Sequence, residues 1–203
     1  QISAAQGVFD IPGNAGTEHL QNGGSCPGYV YGYTIRSIEV TTPSPGSAVE
    51  ASCIYGGGAS GSELTLTYSK VEPGATLDSI FERAKGEELS AHTDAEITDS
   101  QMKLLVNNHK PDWADMRSAL VAFPSGKATA HVELIVGVTA GWIVKLRAAT
   151  NPFAQAQESG FVGRLLFQDA PESLFLLEMG AVHSHSAGPE RPSELSSGGS
   201  PSQ

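Results

Sequence analysis

Residues Lys127–Thr150 read KATAHVELIVGVTAGWIVKLRAAT, two alternating runs around a glycine-bounded segment, Gly137–Gly141. This is the pattern of an antiparallel β-hairpin. Setting Val136 opposite Trp142 aligns Leu134 with Val144, Val132 with Leu146 and Ala130 with Ala148 on one apolar face. The same register places Glu133 against Lys145 and His131 against Arg147 on the other, so charge and hydrophobicity agree. The expectation is a ribbon whose positions 132, 134, 144 and 146 look inward together while 131, 133, 145 and 147 form mated charges outside.

Working outward, Met116–Phe123 is a strand tied to the hairpin by Pro124, Ser125 and Gly126. Farther upstream, Tyr29–Val40 reads as one strand, with Tyr29, Tyr31, Tyr33 and Ile35 on one face and Val30, Thr34, Ile38 and Val40 on the other. TTPSPGS is a turn, Val49–Tyr55 a further strand, and GGGASGS a loop. Leu64–Tyr68 follows, with Leu64, Leu66 and Tyr68 inward and Thr65 and Thr67 outward. Met102–Val106 is another candidate strand, and Asn107–Trp113 a loop.

The period changes at Thr76, an N-cap, after which Leu77, Ile80, Phe81, Ala84 and Leu89 follow helical spacing. Asp78 stands in the first turn, where the helix dipole favours it. A second helix is expected over Phe153–Phe167 and a third apolar helical run over Ser173–Met179. The fold class expected is α+β: a mainly antiparallel sheet of about six strands packed by two to three helices. Residues 1–27 form an irregular arm, 28–183 the single domain, and 184–203 a low-complexity, disordered tail.

The net charge of −10 argues against nucleic acid or an anionic membrane as partner. No run of 18 apolar residues is present, so no transmembrane helix is expected. Gln1 opens the chain without a charged-then-apolar leader, as expected if a leader has been removed or the boundary trimmed. Cys26 and Cys53, in a background rich in Gly, Ser, Thr and Pro, point to an oxidising, periplasmic or extracellular location.

The run GWIVKLRAATNP, a strand ending in Lys-x-Arg and leading into a helix, resembles the last strand and helix of small exported bacterial proteins of unknown role. VEASCIYGGG followed by ELTLTYSK resembles their central strands. These belong with the PsbP/Mog1-like α/β/α sandwich. The likeness spans Tyr29–Phe167 and rests on structural motifs, so it implies a fold and no catalytic residue.

A Cys26–Cys53 disulfide would stabilise the chain by about 3–4 kcal/mol through loop closure. Geometry objects: in one straight hairpin Cys53 would face about Arg36, roughly 33 Å of extended chain from Cys26. The bond therefore requires a folded-back arm or a break near Gly32. His131, Glu133, Lys145 and Arg147 form the best polar constellation, suited in a cleft to an anionic ligand or acid–base chemistry, and on an open sheet to ion pairs alone. Tyr29, Tyr31 and Tyr33 offer either core packing or a partner surface.

HTDAEITD, with His92, Asp94, Glu96 and Asp99, lacks the glycine and closing glutamate of an EF-hand loop, and no metal is expected there. His183 and His185 make only a weak pair, and His109 with Asp112 and Asp115 lacks a nucleophile elbow. No cofactor fingerprint is present and no cofactor is expected. The leading expectation is a non-catalytic exported domain that contacts a protein partner or envelope component. The alternatives are a small-molecule-binding or hydrolytic domain using the hairpin cluster, and a subunit of a homo-oligomer or filament built by pairing the arm onto a neighbour's sheet edge.

Overall fold

The computed structural model describes residues 9–12, 18–20, 23–30, 32–41, 49–57, 62–99, 115–150 and 174–186. Its strands are β1 (Phe9–Pro12), β2 (Glu18–Leu20), β3 (Ser25–Cys26), β4 (Tyr29–Val30), β5 (Tyr33–Thr41), β6 (Glu50–Gly57) and β7 (Glu63–Lys70). After the helix α1 (Leu77–Ala91) come β8 (Glu96–Asp99), β9 (Asp115–Ser125), β10 (Ala128–Thr139) and β11 (Trp142–Thr150). A second helix, α2, covers 174–186. β4 to β11 form one antiparallel, open sheet in the order β4-β5-β6-β7-β11-β10-β9-β8, and β1 to β3 form a small separate one.

The central hairpin exists, but its register differs from the one expected. Ala140 and Gly141 both adopt left-handed backbone, φ 50° and 78°, and close the turn in two residues. A two-residue turn of this kind matches the right-handed twist of its strands. Thr139 therefore faces Trp142, Val136 faces Lys145, Leu134 faces Arg147 and Glu133 faces Ala148. This is a slip of three residues from Val136 opposite Trp142. An odd slip exchanges the faces of one arm. Val132, Leu134, Val144 and Leu146 are all buried as expected, yet they look into two different layers.

Helices on both sides of the sheet explain how all four are buried. On one side Ile80, Phe81 and Ala84 of α1 pack on Ala119, Leu134, Val136 and Ile143. On the other, Leu174, Phe175, Met179 and Val182 of α2 join Leu64, Leu66, Tyr68, Ile135, Val144 and Leu146. Gly137 lets α2 seat: a Cβ there would stand 2.7 Å from Phe175 Cζ and 2.8 Å from Met179 Cε.

α1 begins as expected. The Thr76 side chain accepts from the Ser79 backbone N–H and the Ser79 hydroxyl accepts from the Thr76 N–H, a capping box. α2 extends the expected 173–179 run through His183 and His185 to residue 186, past the 183/184 boundary assigned to the tail.

Among the described residues the sheet has eight strands, not about six. One addition arises because Tyr29–Val40 is not a single strand. It reverses at Gly32, φ 89°, so that Tyr29 pairs with Thr34 and Val30 with Tyr33. That break, with β1–β3 in place of an irregular arm, removes the geometric objection to the disulfide. Cys26 and Cys53 are bonded, with Cα atoms 5.5 Å apart. The other addition is β8, formed by EITD within the acidic stretch. The expected strand Met102–Val106, helix Phe153–Phe167 and loop Asn107–Trp113 lie outside the described residues.

Candidate partner-binding edge

Among the described residues, little covers the β4 edge of the large sheet. β5 has nine residues, and its outer neighbour β4 has two, paired only with Tyr33 and Thr34. The Gly28 carbonyl accepts one more bond from the Ile35 N–H at 3.0 Å. From 36 to 41, no strand lies outside β5 among the described residues. Exposed edges of this kind are templates for another strand. Arg36 is the extra residue of a bulge between Ile35 and Ser37, and its guanidinium lies flat over Gly56, where any Cβ would overlap it. Ile38 and Val40 are half-buried and pack on the α2-side core. Tyr29 stands 67 % exposed beside this edge, whereas Tyr33 is only 5 % exposed and belongs to the core. Tyr31 lies outside the described residues.

The hairpin cluster is divided by the register. His131 and Glu133 share the face of Ile135 and Leu146, the α2 side, while Lys145 and Arg147 share that of Val136 and Leu134, the α1 side. The four therefore line no common site. Lys145 sits opposite Thr67 and Val136. Arg147 instead meets Glu88, which is only 8 % exposed on α1: Nε donates to Oε2 at 2.9 Å and Nη2 to Oε1 at 2.8 Å. Glu63 is a second, longer partner at 3.6 Å, and His92 Nε2 lies 3.0 Å from Glu88 Oε1. The His92 ring stacks on Phe123 with centroids 3.6 Å apart. Burial alone would raise the Glu88 carboxyl. The hydrogen bonds and charge of Arg147, with a smaller contribution from His92, outweigh it and hold the group below the ordinary carboxylate range. Glu88 hydrogen bonding likewise raises the Arg147 guanidinium against the opposing effect of burial.

A second polar network fastens the arm. Glu178, 3 % exposed on α2, accepts from the Ser25 N–H at 2.7 Å, the Ser25 hydroxyl at 2.9 Å and the Tyr68 hydroxyl at 2.8 Å. Burial and the Glu178 charge push the Tyr68 phenol well up. Tyr55 is also raised, chiefly by burial, and its hydroxyl has no hydrogen-bond partner among the described residues. Sequence reading missed both carboxylates, although helical spacing marks each. Glu88 continues the stripe of Ile80, Phe81 and Ala84 one turn on, and Glu178 lies between Leu174 and Val182. A carboxylate on an apolar stripe needs a partner from the sheet.

The remaining expected residues are dispersed. Asp94 closes a turn at φ 56°, and Glu96 and Asp99 lie in β8. Among the described residues no three His, Cys, Asp or Glu side chains are placed to hold a metal ion. His183 Nδ1 lies 3.2 Å from Thr139 Oγ1, and Gly23 abuts His185. Asp115 begins β9, while His109 and Asp112 lie outside the described residues. No protein-family model and no curated protein matches the chain. Among the described residues no helix is long and apolar enough to cross a membrane.

Proposed function

We propose that this chain is a non-catalytic binding domain of an exported protein, which holds a protein partner or envelope component against the β4–β5 edge. The observation that carries this reading is the nine-residue β5 flanked by a two-residue β4, with Tyr29 exposed beside it. A tyrosine offers contact area and a hydroxyl at small entropic cost, which suits it to interfaces. Among the described residues the two buried carboxylates, Glu88 and Glu178, are engaged by Arg147, His92, Ser25 and Tyr68 in structural bonds. The exported setting is supported by the bonded Cys26–Cys53 pair, since such bonds persist in oxidising compartments. Kinship with the PsbP/Mog1-like exported proteins is part of the same proposal and rests on the strand sequences quoted above.

The test is site-specific photo-crosslinking in the native source. A photoreactive phenylalanine analogue at position 29 should give one discrete covalent product, and the same group at position 94, at the far end of α1, should not. No product from 29, or the same product from both positions, would contradict the reading.

A further inference from the structure

We propose that the occupant of the β5 edge is an extended segment whose side chains alternate apolar and basic, added to the sheet as a further strand. This rests on the partner-binding reading and names the chemistry of the partner. Along 36–41 the edge presents different chemistry to its two sides. On the α2 side, Ile38 pairs with Cys53 and Val40 with Ala51, and both half-buried side chains extend the core to the rim. An added strand with apolar residues on this side would finish covering them.

On the α1 side the edge carries two carboxylates, with the Arg36 guanidinium set back over Gly56. Glu39 pairs with Ser52 and Thr41 with Glu50, which puts Glu39 and Glu50 at diagonal positions on one face. Neither carboxylate has an ion-pair partner among the described residues. Lysine or arginine at alternate positions of an added strand would meet them, in a chain whose own net charge is −10.

A second copy of this chain, itself acidic, matches the edge less well than a basic strand. β4 and Gly28 occupy the edge at Tyr33–Ile35, so among the described residues only 36–41 has no strand outside it. The two-fold antiparallel register centred on Ile38 pairs 36–40, and the one centred on Glu39 pairs 37–41 and sets Glu39 directly opposite Glu39 of the other copy. Like charges so placed oppose pairing. Glu39 thus opposes one of the two self-pairing registers while admitting a basic strand.

The experiment uses the full chain and a synthetic peptide of four Val-Lys repeats, with amide hydrogen exchange as the readout. Exchange within 36–41 should slow by about tenfold or more on saturation, as for amides newly shielded in a ladder. A peptide of four Val-Glu repeats should have no effect, and a Val-Lys peptide N-methylated at every residue should fail because its ladder donors are gone. In Glu39→Lys/Glu50→Lys the preference should reverse to the Val-Glu peptide. Equal protection by the N-methylated peptide, slowing at 115–119 or on α1 instead, or no slowing at all would overturn the inference. If crosslinking from position 29 succeeds while the Val-Lys peptide fails, strand addition falls and partner binding stands. If 36–41 is protected while position 29 gives no crosslink, strand addition stands and the contact at Tyr29 falls.

Discussion

Arg147 and Glu88 join β11, in the interior of the sheet, to the last turn of α1 through two hydrogen bonds of 2.8 and 2.9 Å. Paired geometry of this kind is the strong form of a carboxylate–guanidinium contact. Removing Arg147 leaves a nearly buried carboxylate behind. Arg147→Met should cost about 2 kcal/mol, below the full-burial figure because the Arg147 side chain retains 27 % exposure. Glu88→Gln should cost less, and the double variant should recover part of the loss, as urea unfolding would show. Strict additivity of the two changes would contradict the pairing.

The Glu88 carboxyl lies below its ordinary value of 4.5. A depressed carboxyl contributes stability that is present above the unfolded value and lost as pH falls through the folded one. Wild type should therefore lose more stability than Glu88→Gln as pH falls from about 5 to about 3. Parallel pH profiles would contradict this.

Tyr55 and Tyr68 are both buried, yet their hydroxyls differ. The Tyr68 hydroxyl lies 2.8 Å from Glu178 and 2.9 Å from the Ser25 carbonyl, and Tyr55 has no such partner among the described residues. Tyr68→Phe should cost about 1–2 kcal/mol, whereas Tyr55→Phe should be neutral or stabilising. Both phenols are raised, so wild-type stability does not vary with their titration below pH about 10 and declines above it. Thermal scans of the two variants across that range would separate their contributions.

Replacing both Cys26 and Cys53 with serine should lower stability by about 3 kcal/mol through the freed 27-residue loop. The Ser25–Glu178 bonds should still hold the arm, so the circular dichroism of the folded protein should be kept. Non-reducing mass spectrometry of the wild type should find no free thiol.

Ala140 carries a side chain at a left-handed position, φ 50°. Asparagine tolerates that conformation better, so Ala140→Asn should stabilise the hairpin by about 0.5–1 kcal/mol. Destabilisation would favour the longer Gly137–Gly141 loop read from the sequence.

Much of the fold was legible where one pattern dominated. Thr76 with Ile80, Phe81 and Ala84 marked α1, and the alternation of Leu64, Leu66 and Tyr68 marked β7 and its inward face. Register was less legible, because a sheet covered on both faces is apolar on both. Ile135, Val138 and Ile143 fit either alignment, and what decides is a two-residue turn whose first position is an alanine. Pairing Glu133 with Lys145 gave a plausible charge match that the folded chain does not use. The actual match, Arg147 with Glu88, spans 59 positions and joins a strand to a helix, beyond the reach of hairpin reasoning. The edge was half visible. The tyrosines at 29–33 drew attention to the right segment, but the reversal at Gly32 sends Tyr33 to the core and leaves Tyr29 outside.

Residue-resolved hydrogen exchange of the isolated full chain tests the edge most directly. With no strand outside 36–41 among the described residues, β5 should show alternating fast and slow amides there, while β7 and β11, paired on both sides, stay uniformly protected. Uniform protection along 36–41, equal to that of β7 and β11, would mean that the edge is already filled and would contradict partner binding at this site.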